Sequence, residues 1–466
     1  MQSFEIPTSL KQLISSNQAF HYRIVPMEKK GDVVVFKTDA EHPELLHSEL
    51  SIVFNFTPEL QHDSSENIQA YLIYNYRQTT TALGGISEAT FLEELLQTAK
   101  DFNSSDIHLE PYETLCRVRF RLDGKLKEHY QISLNQYPKI INIIKHRAEL
   151  DVSQKRLPQD GRITVKGVDD DFDIRVSTMP SLHGEKIVLR ILKQDATGVE
   201  LKNLGFKERE LKLYLEGIKM TTGIILISGP TGSGKTTTLY GTLKLLNSEE
   251  KNILTVEDPI EYTLDGVNQV QLKEDIGLDF PRTLRTFLRQ DPNVIMVGEI
   301  RDRDTADMAI RAALTGHLVL STIHTNSAWA TVSRLIDMGV PPFLVASTLK
   351  LSVAQRLVRK LCDHCKRMEP VTENLFPESF SEKKMIPQHY VSVGCNQCHF
   401  TGYSGRKALY EIIPVRAELE QAIKRNALQI DDYLIENDLG TLQSNAIDMI
   451  IKGETTVDEV YSLLTN

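Results

Sequence analysis

From about residue 217 onward, short runs of consecutive apolar residues alternate with longer stretches whose apolar positions recur every three or four residues. Strands buried on both faces read as unbroken apolar runs and half-buried helices show the wider period. The alternation therefore predicts a parallel sheet joined by helical crossovers. Residues 224–227, 253–256, 294–297 and 318–321 are the clearest such strands. Upstream the pattern differs. Residues 87–102 place Phe91, Leu95 and Ala99 on one helical face, and strands follow at 115–122, 162–165 and 171–177, which predicts an α+β domain. Residues 1–80 alternate short apolar runs (32–37, 51–56, 71–74) with polar turns and read as a small separate module. The small and glycine residues of 79–85 suit a flexible linker.

These changes of pattern divide the chain into a module at 1–80, a linker at 81–87, an α+β domain at 88–205 and an α/β domain at 206–361. A cysteine-bounded segment follows at 362–410, then a helical region at 411–466, where Leu442, Ile447, Ile450 and Ile451 recur at helical spacing. A length of 466 residues fits about three domains, and the 41% apolar and 25% charged fractions are those of a soluble globular protein. No stretch approaches the ~18 apolar residues of a membrane span. The first residues, MQSFEIPTSLKQLISS, lack the basic-then-apolar layout of a signal peptide, so a cytoplasmic location is expected. A net charge of −10 argues against general adhesion to nucleic acid, and no stable nucleic-acid partner is expected.

The strand at 224–227 runs directly into GPTGSGKT, residues 229–236, which fits G-x-x-x-x-G-K-[ST] in full. Glycines let the backbone N–H groups turn and wrap a phosphate. Gly229, Pro230, Thr231, Gly232, Ser233, Gly234, Lys235, Thr236 and Thr237 are therefore expected to bind ATP. Lys235 would reach the β- and γ-phosphates, and the Thr236 hydroxyl would hold Mg²⁺. Hydrolysis also needs groups that orient water and neutralise charge. Glu299 follows the strand at 294–297, and Glu257, Asp258 and Glu261 follow the strand at 253–256, so both sets of carboxylates are expected at the carboxyl edge of the sheet. His317 and His324 flank the strand at 318–321. Their separation puts them on opposite faces or ends, so at most one is expected to face the nucleotide.

Four of the five cysteines form two C-x-x-C pairs, Cys362 with Cys365 and Cys395 with Cys398. Four thiolates are the number that a tetrahedral structural Zn²⁺ takes, and the long loop between the pairs closes at a cost that rises only slowly with length. His364 and His399 could replace a thiolate, but the four-cysteine set is simpler. Cys116, alone in a strand, is expected in a core.

The ordered blocks GPTGSGKTTTLYG, ILTVEDPIEY, LRQDPNVIMVGEIRD and TGHLVLSTIHTN resemble the secretion ATPase superfamily, and more narrowly the assembly ATPases of type II secretion and type IV pili. The resemblance extends through SSDIHLEP, FRLDG, RLPQDGR, DIRVSTMPSLHGEKIVLRIL and GYSGRKALYEI, from about residue 88 to the C-terminus. It implies a RecA-like P-loop core after a PAS-like α+β domain, with a small four-cysteine metal subdomain and a helical C-terminal region. It further implies that residues 229–236 are the Walker A loop, that Glu257, Asp258 and Glu261 form the aspartate box, and that Glu299 is the Walker B acid. His324 becomes the principal histidine-box residue with His317 as its partner, and Arg175 and Arg190 are directed toward a nucleotide. The implied protein is a Mg²⁺-dependent ATPase forming a homo-oligomeric ring, a hexamer, held peripherally at the inner membrane by platform proteins. A DNA-uptake or translocation motor, a non-catalytic nucleotide-binding scaffold and a retraction ATPase are the rival readings, and the intact Lys235, Thr236 and Glu299 argue against the scaffold. The four cysteines, generally missing from retraction ATPases, favour assembly. Residues 1–80 lie outside the resemblance, which leaves their docking partner open.

Overall fold

The computed structural model describes residues 6–7, 10, 13–14, 16–40, 42–54, 56–76, 88–165, 172–192, 200–372, 375–378, 380, 386, 388–399, 401–427 and 429–465. It divides into two units, one built from Met1–Lys193, Leu361–Glu369 and Tyr390–Ser404, the other from Gln194–Lys360, Pro370–His389 and Gly405–Asn466.

In the first unit, β1 (Ile24–Lys30), β2 (Val33–Thr38) and β3 (Thr57–His62) form a three-stranded sheet in that order. Of the three apolar runs in this module only 32–37 is a strand. Residues 51–53 end the helix Pro43–Val53, and 71–74 lie inside the helix Ser65–Asn75. Leu46 and Leu50, four apart, are the buried positions of the first helix, so a helical period overrides the short apolar run. Ile24, Val34, Phe36, Leu50, Ile68 and Leu72 form this module's own core. The expected linker at 81–87 lies outside the described residues.

The α+β part follows as β4 (Asp106–Pro111), β5 (Cys116–Leu122), β6 (Lys125–Ile132), β7 (Gln159–Val165), β8 (Phe172–Ser181) and β9 (Gly184–Leu192), an antiparallel sheet in the order β6-β5-β4-β9-β8-β7. Alternation along these strands sends Ile107, Leu109, Val118, Phe120, Val176 and Leu189 into one core with Phe91, Leu95, Ala99, Ile140, Ile141 and Ile144 of the helices Glu88–Asp101 and Tyr137–Arg147. Cys116 is fully buried in it. The opposite face carries charge.

The second unit holds β10 (Gly223–Ser228), β11 (Ile253–Glu257), β12 (Asn268–Gln271), β13 (Val294–Val297), β14 (Leu318–Ile323) and β15 (Leu349–Leu361). After the short β16 (Arg367–Pro370) and β17 (Gln388–Val391) comes β18 (Tyr403–Pro414). The sheet order is β12-β11-β13-β14-β10-β15-β18, with β10 parallel to both β14 and β15. Every residue of β10, β11, β13 and β14 is buried, as unbroken apolar runs require. Each fully buried Leu, Ile or Val contributes roughly 1.5–3 kcal/mol. Two expectations change at the C-terminal end. Residues 403–414 form an outer strand of the central sheet, so helical structure begins at Ala417 rather than 411, because the run 408–413 is buried as one strand. Within the helix Leu442–Ile451, Leu442, Ile447 and Ile450 enter the core whereas Ile451 is 54% exposed.

Candidate nucleotide site and thiol cluster

Strand register brings the sequence-predicted groups together. Val256 pairs with Val297, Val297 with Ser321, Ser321 with Leu226, and Leu226 with Ser352. Two residues further along each strand come Asp258, Glu299, Ile323, Ser228 and Ala354, so the two acids leave the sheet level with the start of the phosphate loop. His324 and Gly229 stand one residue beyond. His317 sits at the other end of β14. Its carbonyl accepts from Gly223 N–H, and its Nδ1 lies 2.8 Å from the Ala312 carbonyl at the end of the helix Arg303–Leu314. Six strand residues at about 3.3 Å each separate it from the phosphate-loop edge.

Gly229 has φ 149°, and a Cβ there would lie 2.4 Å from the Gln355 carbonyl oxygen, so only glycine fits. Gly234, at φ 87°, is the N-cap of the helix Lys235–Leu246, whose positive end faces the loop. Lys235 is buried, and its ammonium donates to the carbonyls of Gly229 (2.8 Å) and Pro230 (3.1 Å). Burial pulls its pKa down; nearby Glu299 opposes this and Arg356 adds to it. The Ser233 hydroxyl is buried without a hydrogen-bond partner among the described residues, while Thr231, Gly232 and Thr236 are exposed. An orphaned hydroxyl beside a buried lysine and a helix N-terminus is a donor set that fits a polyphosphate, and the exposed Thr236 hydroxyl fits its Mg²⁺.

Glu299 is held by the backbone around it. Gly298 N–H donates to the Val256 carbonyl at 2.8 Å, Ile300 N–H to the Thr322 carbonyl at 2.9 Å, and the Thr322 hydroxyl to the Gly298 carbonyl at 2.8 Å. Its carboxylate lies 3.5 Å from His324 Nε2 and accepts from Arg301, which also stands 3.8 Å from Asp258. Arg301 thus joins the two acids; sequence reasoning missed it, although it follows Glu299 by two residues. Glu257 is placed differently from Asp258. It is buried and accepts from Tyr240 of the phosphate-loop helix, from the Thr255 hydroxyl at 2.7 Å and from Gln269 at 3.1 Å. Its carboxylate ties β11 to that helix, and Asp258 is the exposed acid.

In the first unit, register aligns Arg162, Arg175, Arg190, Asp106 and Arg121 across β7, β8, β9, β4 and β5 in one row. The buried Asp106 holds Arg121 at 3.0 Å and Arg190 at 3.1 Å. On the same face the buried Glu110 holds Arg119 at 2.7 Å, Arg117 at 2.9 Å and Lys186 at 3.0 Å. Burial pushes the Glu110 pKa up, and the hydrogen bonds from these cations outweigh it, leaving the carboxyl at about 2.

The four cysteines converge, all sulfurs lying within 4.8 Å of one another. The separations Cys362–Cys395 (3.9 Å), Cys365–Cys398 (3.8 Å) and Cys395–Cys398 (3.8 Å) match the ~3.8 Å expected between thiolates at 2.3 Å from one tetrahedral Zn²⁺. The N–H groups of Cys395 and Gly402 each point at the Cys398 sulfur at 3.2 Å, donors that would stabilise a thiolate there. His364 is exposed, and His399 stacks on Phe102 with ring centroids 4.0 Å apart, so neither joins the cluster.

A parallel sheet whose central strand runs into a glycine phosphate loop, with an acid and a histidine at neighbouring strand ends, defines a P-loop nucleotide-binding protein. Residues 85–462 match the family described as Type II/IV secretion system protein, and the chain belongs to that family. It is 44% identical over 375 residues to the type IV pilus assembly ATPase PilB of Myxococcus xanthus, covering 78% of this chain and 66% of that one. It is 43% identical over 370 residues to the type II secretion system protein E of Aeromonas hydrophila, covering 79% and 74%. Among solved structures it is similar to the pilus retraction motor PilT with bound ADP, at 26% identity and a TM-score of 0.54, covering 79% of this chain and 96% of that one.

Proposed function

We propose that this chain is an ATP-hydrolysing motor that drives assembly of a type IV pilus or a type II secretion pseudopilus. The observation that carries the reading is the convergence of Lys235, Glu299, Asp258 and His324 at one sheet edge, together with the likeness to a type IV pilus assembly ATPase and a type II secretion system protein. In this reading the loop 229–237 wraps the polyphosphate and Lys235 holds its β- and γ-oxygens. Glu299 orients and polarises the attacking water, 3.5 Å from His324, which with Asp258 senses the γ-phosphate. Mg²⁺, when bound beside Thr236, neutralises phosphate charge. Arg175 and Arg190 supply the charge that meets the nucleotide's phosphate oxygens, which the guanidinium fork matches in shape. Cys362, Cys365, Cys395 and Cys398 hold a structural Zn²⁺. The motor works as a homo-oligomeric ring, a hexamer, on inner-membrane platform proteins from the cytoplasmic side. Steady-state phosphate release tests the core of this reading: E299Q should lose about 10²–10³-fold, and equal rates would remove Glu299 from the mechanism. Elemental analysis should find about one Zn²⁺ per chain, and none would defeat the metal assignment.

A further inference from the structure

β15 lies beside the phosphate-loop strand, with Ala354 paired to Ser228, so Gln355 and Arg356 emerge where the chain turns into the loop. Gln355 lies under the loop, with its carbonyl against Gly229 and its side-chain oxygen accepting from Thr238 at 2.9 Å. Arg356 Nη1 is 3.2 Å from where a Gly229 Cβ would be and donates to the Gln355 carbonyl at 3.1 Å; its Nη2 donates to the Asn326 carbonyl at 2.7 Å. Asn326 belongs to the turn His324-Thr325-Asn326, which walls a cleft of about 520 Å³ opposite Gly229 and Pro230. The guanidinium is half-buried and has no carboxylate within 4 Å among the described residues. The acid that acts on it electrostatically, Glu411, has both oxygens committed, to Ala328 N–H at 2.7 Å and Leu442 N–H at 3.1 Å. A half-buried cation with only neutral acceptors is costly to keep. What it gains is a two-pronged tie between β15, whose Gln355 carbonyl lies against Gly229, and the turn that holds Asn326.

We propose that Arg356 is a positioning residue whose guanidinium fork fixes the His324–Asn326 turn against β15 where that strand passes under the start of the phosphate loop. It rests on the ATPase reading above for its catalytic consequence. A lysine keeps the charge but cannot span both carbonyls, so R356K separates geometry from charge. Both R356Q and R356K should lower kcat by about 10–100-fold, with binding of a fluorescent N-methylanthraniloyl-ATP changed less than about threefold. Acting through His324, R356Q should add little to the loss in H324A. Wild-type kcat in either R356Q or R356K, or losses that multiply in the double variant, would overturn the proposal. Hydrogen exchange tests the tie without turnover: R356Q, or R356K should R356Q not fold, should speed exchange over residues 322–329 and leave 253–258 unchanged. Unchanged exchange at 322–329 overturns the tie even in an active enzyme. A wild type that releases no phosphate while R356Q speeds exchange would instead sink the ATPase reading and leave the tie standing.

Discussion

The carboxyl edge of the parallel sheet and the charged face of the antiparallel sheet both gather arginines and acids, yet they hold them in opposite ways. At the edge, Glu299 and Asp258 share one arginine, Arg301, and Asp258 is exposed. On the charged face the acids are the buried partners, and each of Asp106 and Glu110 is surrounded by two or three cations. An acid left undersatisfied in a loop is available to a ligand, whereas an acid clamped mid-strand is spent on the fold. Losing an edge acid should therefore cost turnover, and losing a clamped acid should cost stability.

The largest test of that contrast is E299Q, which should combine the 10²–10³-fold loss of phosphate release with an unfolding midpoint close to wild type. A large drop in midpoint would erase the distinction. Next comes E110Q, which leaves Arg117, Arg119 and Lys186 around a neutral amide and should cost on the order of 2 kcal/mol by denaturant unfolding. The pH dependence gives its sign. The folded Glu110 carboxyl titrates near 2 against an ordinary 4.5, so its stabilisation is complete above about 4.5 and disappears as pH falls toward 2. E110Q should lack that part of the acid limb. Y240F removes one of three donors from the buried Glu257 and should cost about 1 kcal/mol, with turnover reduced only as far as the Asp258 loop shifts. The smallest effect is expected for D448N, whose pairing with Lys207 is exposed on both sides; more than about 0.5 kcal/mol would show that surface pairs in this chain are unusually strong.

Much of the site was legible because its signals are local. The glycine spacing of 229–234 is a backbone requirement that can be read from eight letters, and Glu299 and Asp258 announce themselves by following apolar strands. The two C-x-x-C pairs pointed to the thiols that cluster, although only the fold shows Cys362 facing Cys395. Groups that depend on pairing between distant strands stayed hidden. Gln355 and Arg356 matter because β15 lies beside β10, a neighbour relation without local signature. Arg175 and Arg190 became one row only through the β8–β9 register. Glu257 and Asp258 are adjacent letters, and which of them is buried depended on where β11 ends. Residues 403–414 begin with a polar stretch, YSGRK, which concealed an outer strand of the central sheet.

The level alignment of Asp258, Glu299 and Ser228 makes the strands a ruler with a fixed graduation. Deleting one residue within β13 would turn the carboxylate of Glu299 to the opposite side of the sheet and draw it back by about 3.3 Å, whereas lengthening the crossover helices would leave it in place. Evolution, or an engineer, is thus free to remodel the connections while the spacing of the two acids and the phosphate loop stays calibrated by four short strands.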